Sequence, residues 1–143
     1  MKDGKYVIIH VDDSPTAREL VKEALTDAGY EVHSAENASD METILANSPV
    51  LRETVDLIVL DMEMPDMTGA QVGAVIQEVY HELTRTPFVI YSGREEEWVE
   101  QMIEDVAHLS TAFRENYRGY LAKGPGSEQT LALRIKIIVE FKG

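Results

Sequence analysis

The chain has 143 residues, 44% of them hydrophobic, which suits one globular unit with an ordinary apolar core; zero cysteines exclude disulfides, thiolate metal sites and thiol catalysis. With 13 basic against 26 acidic side chains the formal charge is −13, which repels phosphate backbones and anionic membranes, so neither a nucleic-acid nor a membrane partner is expected. The first apolar stretch is broken at Asp12, too short for a secretory core or a bilayer span, and a cytoplasmic location follows as the default.

Residues 6–11 read as a short strand ending at Asp12, and Ser14-Pro15 then supply an N-cap and an N1 proline for a helix reaching about residue 28. Ala17, Leu20, Val21, Ala24 and Leu25 repeat at helical spacing along it, and Gly29 suits a left-handed C-cap. Glu31–Ala35 reads as a second strand. A second helix covers 38–47, with Asn37 as cap, Met41, Ile44 and Leu45 inward and Ser48-Pro49 as its stop, and 50–55 is an irregular connection. Residues 57–60 are apolar without alternation, as expected of a strand covered on both faces in a parallel sheet. A third helix runs from 69 to about 83, with Val72, Val75, Ile76, Val79 and Leu83 on one stripe.

Residues 87–91 form a fourth strand. Trp98, Met102, Val106, Leu109 and Phe113 then recur at steps of 4, 4, 3 and 4, predicting one long fourth helix from 95 to about 115. A fifth strand covers 119–122, and Ser127 caps a last helix to about 141. The order is (βα)5: an α/β, doubly wound, five-stranded parallel sheet with right-handed crossovers, in which ligands bind outside the strand carboxyl ends. A single unit over residues 1–143 is expected.

Asp12, Asp13, Asp61, Ser92 and Lys123 all fall at those strand ends. Singly, each has an ordinary explanation: an aspartate that caps a helix, a Ser-Gly turn, a solvated lysine. Together, three carboxylates on one rim repel one another unless a hard divalent cation, Mg2+ being the natural choice, is held by their oxygens. Lys123 adds a compact positive charge and Ser92 a hydroxyl, so the set forms a socket for a phosphoryl group with Asp61 as the nucleophile.

Asp12-Asp13, the block Asp61-Met62-Glu63-Met64-Pro65-Asp66-Met67-Thr68-Gly69, Ser92-Gly93 and Tyr120-Leu121-Ala122-Lys123 resemble the receiver domain of bacterial two-component response regulators, over nearly the whole chain. The resemblance implies a flavodoxin-like fold and a phosphoacceptor that takes its phosphoryl group onto Asp61 from a sensor histidine kinase or phosphotransfer protein. It further implies Mg2+ bound directly by Asp13, Asp61 and the Glu63 backbone carbonyl, with Asp12 acting partly through water. Lys123 and Ser92 would meet the phosphoryl oxygens. Tyr120 would move as Ser92 is drawn inward, remodelling the face of the fourth helix, fifth strand and last helix for a downstream protein target. Such a chain assists its own phosphorylation and dephosphorylation without being a turnover enzyme.

Three departures from the family pattern stand out. Gly124 separates Lys123 from Pro125, so either Gly124 takes a positive φ or the Gly124-Pro125 peptide is cis. Glu63 and Arg94 occupy positions that tune phosphoryl lifetime in the family, and a pair between them across the site is predicted. The 31 residues from Ser92 to Lys123 exceed the usual span, which predicts an extended fourth helix. The last helix carries Leu131, Ile135 and Ile138 on one stripe and Leu133, Ile137 and Phe141 on a neighbouring one, either a partner or homodimer face involving the fourth and last helices or a surface covered by the fourth.

Two alternatives remain. An Asp-nucleophile phosphatase of haloacid-dehalogenase type also forms an aspartyl phosphate with Mg2+, but places its nucleophile after the first strand in an Asp-x-Asp pattern that Glu63-Met64-Pro65 does not provide. A receiver fragment of a larger response regulator is the other; no output domain is seen within these residues. His10, His33, His81 and His108 lack metal-ligand spacing and are assigned no role.

Overall fold

A computed structural model describes residues 1–65 and 67–141; Asp66 of the motif block lies outside the described residues. Its five strands are β1 (Val7–Val11), β2 (Glu31–Ala35), β3 (Val55–Leu60), β4 (Phe88–Ser92) and β5 (Tyr117–Ala122), all paired in parallel in the order β2-β1-β3-β4-β5. Between and after them lie α1 (Pro15–Asp27), α2 (Ala38–Ala46), α3 (Pro49–Thr54), α4 (Gly69–Val79), α5 (Glu96–Ala107), α6 (Thr111–Asn116) and α7 (Ser127–Glu140). Among the described residues no helix is long and apolar enough to cross a membrane.

Alternating strand residues feed two cores. Val7, Ile9, Val11, Ile58, Leu60, Phe88 and Ile90 pack with α2, α4, α5 and α6 residues, while Ile8, Leu57, Val59, Val89 and Tyr91 pack against Val21 and Leu25 of α1 and Leu131, Ile135 and Val139 of α7. Burial on both faces is why β1, β3 and β4 carry continuous apolar runs. The strand order reverses direction between β1 and β3, so the ends of those two strands flank a crevice at the carboxyl edge of the sheet.

Several predicted boundaries are corrected. The connection over 50–55 is helical: Ser48 accepts from the Leu51 N–H and Pro49 occupies N1, the same Ser-Pro start that opens α1, and Leu51 is buried. The third helix stops at Val79, with Tyr80 extended and a 3-10 turn at His81–Leu83. The long fourth helix is two helices, because Ser110 turns extended and caps α6 by accepting from Phe113 N–H. The apolar spacing persists across the break because Val106 and Phe113 both pack on the same core.

Ser127 is the first residue of α7, not its cap; Gly126, at φ 75°, precedes it. The Ser127 hydroxyl instead accepts from Gly124 N–H at 3.0 Å and meets the Tyr91 hydroxyl. The Gly124-Pro125 peptide is trans and the positive φ falls at Gly126, so neither expected solution for Gly124 is used. On α7, Leu131 and Ile135 are buried and Ile138 is partly buried, whereas Leu133 and Ile137 are 60% and 55% exposed and α5 does not cover them.

Candidate functional site

The backbone ladder places the acids. Asp12 N–H donates to Ala35 O at 3.0 Å and Asp61 N–H to Val11 O at 2.9 Å, so each residue leaves its strand while still tied to a neighbour. A loop leads from Asp61 to α4, where Thr68 and Gln71 cap each other reciprocally and Gly69 N–H donates to Met62 O at 3.1 Å. A Cβ on Gly69 would lie 2.3 Å from the Asp61 carbonyl oxygen, so only glycine lets the helix start this close to the strand end.

Asp12 is fully buried, Asp61 is 4% exposed and Asp13 is exposed. One carboxylate oxygen from each lies within 4.8 Å of the others, an all-oxygen donor set suited to a hard divalent cation. Lys123 Nζ stands 2.7 Å from Asp12 Oδ2 and 3.6 Å from Asp61 Oδ2. Its backbone is fixed beside Ser92, whose carbonyl accepts from Lys123 N–H at 2.9 Å.

The two buried acids titrate in opposite directions. Burial alone would raise Asp12, but the nearby His10 ring, the Lys123 ammonium and the hydrogen bond from Ser14 N–H outweigh it and hold the carboxyl at about 2. Asp61 is pushed up to about 7, by burial first and by the charges of Asp12 and Asp13, against the pull of Lys123. Lys123 is raised: burial opposes its charge, and Asp12 and Asp61 more than restore it. Positive charge is what Asp61 lacks, and the donor set at its side fits a cation that would supply it.

Arg94 joins the remaining residues. Its N–H donates to Ser92 Oγ at 3.2 Å, its carbonyl accepts from the Tyr120 hydroxyl at 2.8 Å, and its guanidinium pairs with Glu63 and stacks 3.9 Å over the Trp98 ring. Glu63 and Arg94 thus meet across the mouth of the site. A hollow of about 380 Å³ opens beside them, lined by Asp13, Met62, Glu63, Met64, Pro65, Thr68 and Trp98.

The sequence reading passed over three contributors. His10 is fully buried with Nε2 3.5 Å from Asp12 Oδ2, and its position two residues before Asp12 in one strand was the available signal. Burial leads the effects on its ring and lowers its pKa. Arg18 Nη1 donates to the Asp12 carbonyl at 2.6 Å from one turn into α1. Trp98 does more than anchor its helix, since it carries the Arg94 guanidinium.

A family model described as response regulator receiver domain matches residues 8–135. The transcriptional regulatory protein AruR of Pseudomonas aeruginosa is similar, 39% identical over 62 residues that cover 43% of this chain and 25% of that protein. The CAI-1 autoinducer sensor kinase/phosphatase CqsS of Vibrio cholerae is 29% identical over 86 residues, 60% of this chain and 12% of that protein. The chain therefore spans a quarter or less of the length of these relatives. Among solved structures, the Vibrio cholerae chemotaxis protein CheY4 superposes with a TM-score of 0.73 at 23% identity, covering 94% of this chain and 99% of that one, a likeness of fold.

Proposed function

The chain belongs to the response regulator receiver family, and on that premise we propose that it is a phosphoacceptor: Asp61 takes a phosphoryl group from the phosphohistidine of a partner kinase or phosphotransfer protein. The observation that carries this reading is Lys123 Nζ placed between Asp12 and Asp61, at 2.7 and 3.6 Å, on the rim where three carboxylates converge. A carboxylate oxygen of Asp61 attacks phosphorus as the phosphorus–nitrogen bond of the donor breaks, and the imidazole leaves with the bonding pair. The attacking form is ionised Asp61, which Lys123 favours.

Asp12, Asp13, Asp61 and the Glu63 backbone carbonyl would hold Mg2+, which when bound neutralises charge on the transferring oxygens. The rest falls to the chain itself. Lys123 offers its ammonium to a phosphoryl oxygen, and Ser92, 1% exposed at the end of β4, offers its hydroxyl to another. Transfer of this kind rests on positioning and electrostatics more than on proton chemistry.

Readout would pass through Arg94. A phosphoryl group that draws the Ser92 hydroxyl inward takes the acceptor from the Arg94 N–H, and the Tyr120 hydroxyl bonded to the Arg94 carbonyl must follow. The surface so changed joins α5, β5 and α7, where exposed Leu133 and Ile137 offer an apolar contact to a protein target or a second copy. The functions of the longer relatives belong to those proteins; what the reading takes from them is the receiver segment alone.

The test is incubation with acetyl phosphate and Mg2+, followed by intact-mass measurement. A gain of one phosphoryl group that Asp61→Asn abolishes supports the reading. No modification of the wild type, or an undiminished gain in the variant, rejects it.

A further inference from the structure

Away from the acidic rim, two hollows of about 470 and 240 Å³ flank α4 and share Met67 and Val75 in their walls. The larger lies between α4 and the α5–α6 break, where Val106 and Leu109 face Ala74 and Val75. The smaller lies between α4 and α2 and adds Val72 and Ile76. Leu109 is 85% exposed, and Val75 and Val79, one helical turn apart, are exposed on the same helix. These side chains form an apolar strip along α4 that the chain itself leaves uncovered.

The rim has one sign. Glu78 and Asp105 border the larger hollow and Glu42 the smaller, and among the described residues lining either, no side chain is basic. The whole chain carries −13. An apolar floor between carboxylates on a strongly acidic protein complements a segment with an apolar stripe flanked by lysine or arginine.

We propose that the groove along α4, floored by Met67, Val75, Val106 and Leu109 and edged by Glu42, Glu78 and Asp105, is a docking surface for a basic amphipathic helix of a partner protein. It shares α5 with the α5, β5 and α7 face but lies on the side of that helix turned to α4, and it does not depend on the phosphoacceptor reading. Leu109 follows the end of α5 and precedes the Ser110 cap of α6, and it lines the larger hollow beside Val106. Met67, six residues beyond Asp61 and in the wall of both hollows, sets the groove at the loop that follows the acid.

The probe is a fluorescein-labelled synthetic peptide of leucine and lysine with leucines at i, i+4 and i+7, beside a scrambled peptide of identical composition, with binding read by anisotropy. The amphipathic peptide should bind the wild type at least about tenfold more tightly than the scrambled one, the difference expected of one or two buried aliphatic side chains. Leu109→Asp and Val75→Asp should each weaken it about tenfold, although each adds negative charge that would strengthen a purely electrostatic contact. Leu20→Asp, with the same added charge on α1 and outside both hollows, should leave it unweakened. Equal binding of the two peptides, or unchanged or tighter binding to Leu109→Asp, would overturn the proposal; Leu109 is so exposed that its replacement leaves the fold intact.

Discussion

The hydroxyl of Tyr120 on β5 donates to the backbone carbonyl of Arg94, 2.8 Å away, and the N–H of that same residue donates to Ser92. One backbone unit therefore joins the hydroxyl at the site to the half-buried aromatic of β5. Trp98 is the only tryptophan in the chain and lies under the Arg94 guanidinium, so its fluorescence reports this junction. Addition of beryllofluoride and Mg2+ is expected to shift that fluorescence. Tyr120→Phe, which frees the Arg94 carbonyl at a cost of about 0.5–1 kcal/mol, is expected to move the starting spectrum toward the activated one. A variant whose spectra match wild type in both conditions would show that the bond takes no part in switching.

Glu63 and Arg94 lie over the mouth of the site as an ion pair that Trp98 supports from below. Both partners are substantially exposed, so replacing them should leave stability nearly unchanged. Their effect should appear in kinetics instead. Glu63→Ala combined with Arg94→Ala opens the approach to Asp61, and loss of phosphoryl from the labelled protein is expected to run severalfold faster. An unchanged decay of the phosphorylated fraction would reject gating by this pair.

How much of this was readable from sequence depended on whether a signal was local. The three central strands and the placing of Asp12, Asp61 and Ser92 at their ends followed from apolar runs that stop at polar residues, because burial on both faces suppresses alternation; the edge strand before Lys123 is only partly buried and was marked by the short run ahead of the lysine. Ser48-Pro49 does end α2, but the helix over Pro49–Thr54 was hidden because a proline that ends one helix can also begin the next, which only the Ser48 hydroxyl on Leu51 N–H reveals. The α5–α6 break was invisible to periodicity, since both helices present their apolar residues to one core. His10 escaped for another reason: a histidine inside an apolar run acquires meaning only through its neighbour across two residues, Asp12.

Asp61 predicts how stability should depend on pH. Its folded carboxyl is raised to about 7 from an ordinary 3.8, so over that interval the folded chain keeps a proton that the unfolded chain has released. Stability contributed by the protonated form is therefore complete below about pH 4 and lost as pH rises through about 7. Asp61→Asn removes the effect. In the presence of EDTA, wild type and variant should unfold at similar urea concentrations near pH 4, and at about pH 8 the variant should be more stable by on the order of 2 kcal/mol. Asp12, held low, acts in the opposite sense but is present in both proteins and does not account for the difference. A gap that fails to widen with rising pH would contradict the assignment.

Two glycines of α4 give paired expectations from one geometry. A Cβ on Gly69 would stand 2.3 Å from the Asp61 carbonyl oxygen and 3.0 Å from its carbon, both backbone atoms, so the helix start and the strand end would have to separate. On Gly73 the new carbon would meet Leu60 Cδ1 at 3.3 Å and the Phe88 ring at 3.5 Å, side-chain atoms that can yield. Alanine also gains roughly 1 kcal/mol over glycine inside a helix, which works in favour of Gly73→Ala. Gly73→Ala should therefore lie within about 1 kcal/mol of wild type, whereas Gly69→Ala should lose about 2–3 kcal/mol. Because the strain falls on the residue that carries the acceptor carboxylate, Gly69→Ala should also take up phosphoryl from acetyl phosphate more slowly under conditions where it remains folded. Urea midpoints decide the first point and intact mass against time the second; equal stability of the two variants would mean that the close approach of α4 to Asp61 is not maintained in solution.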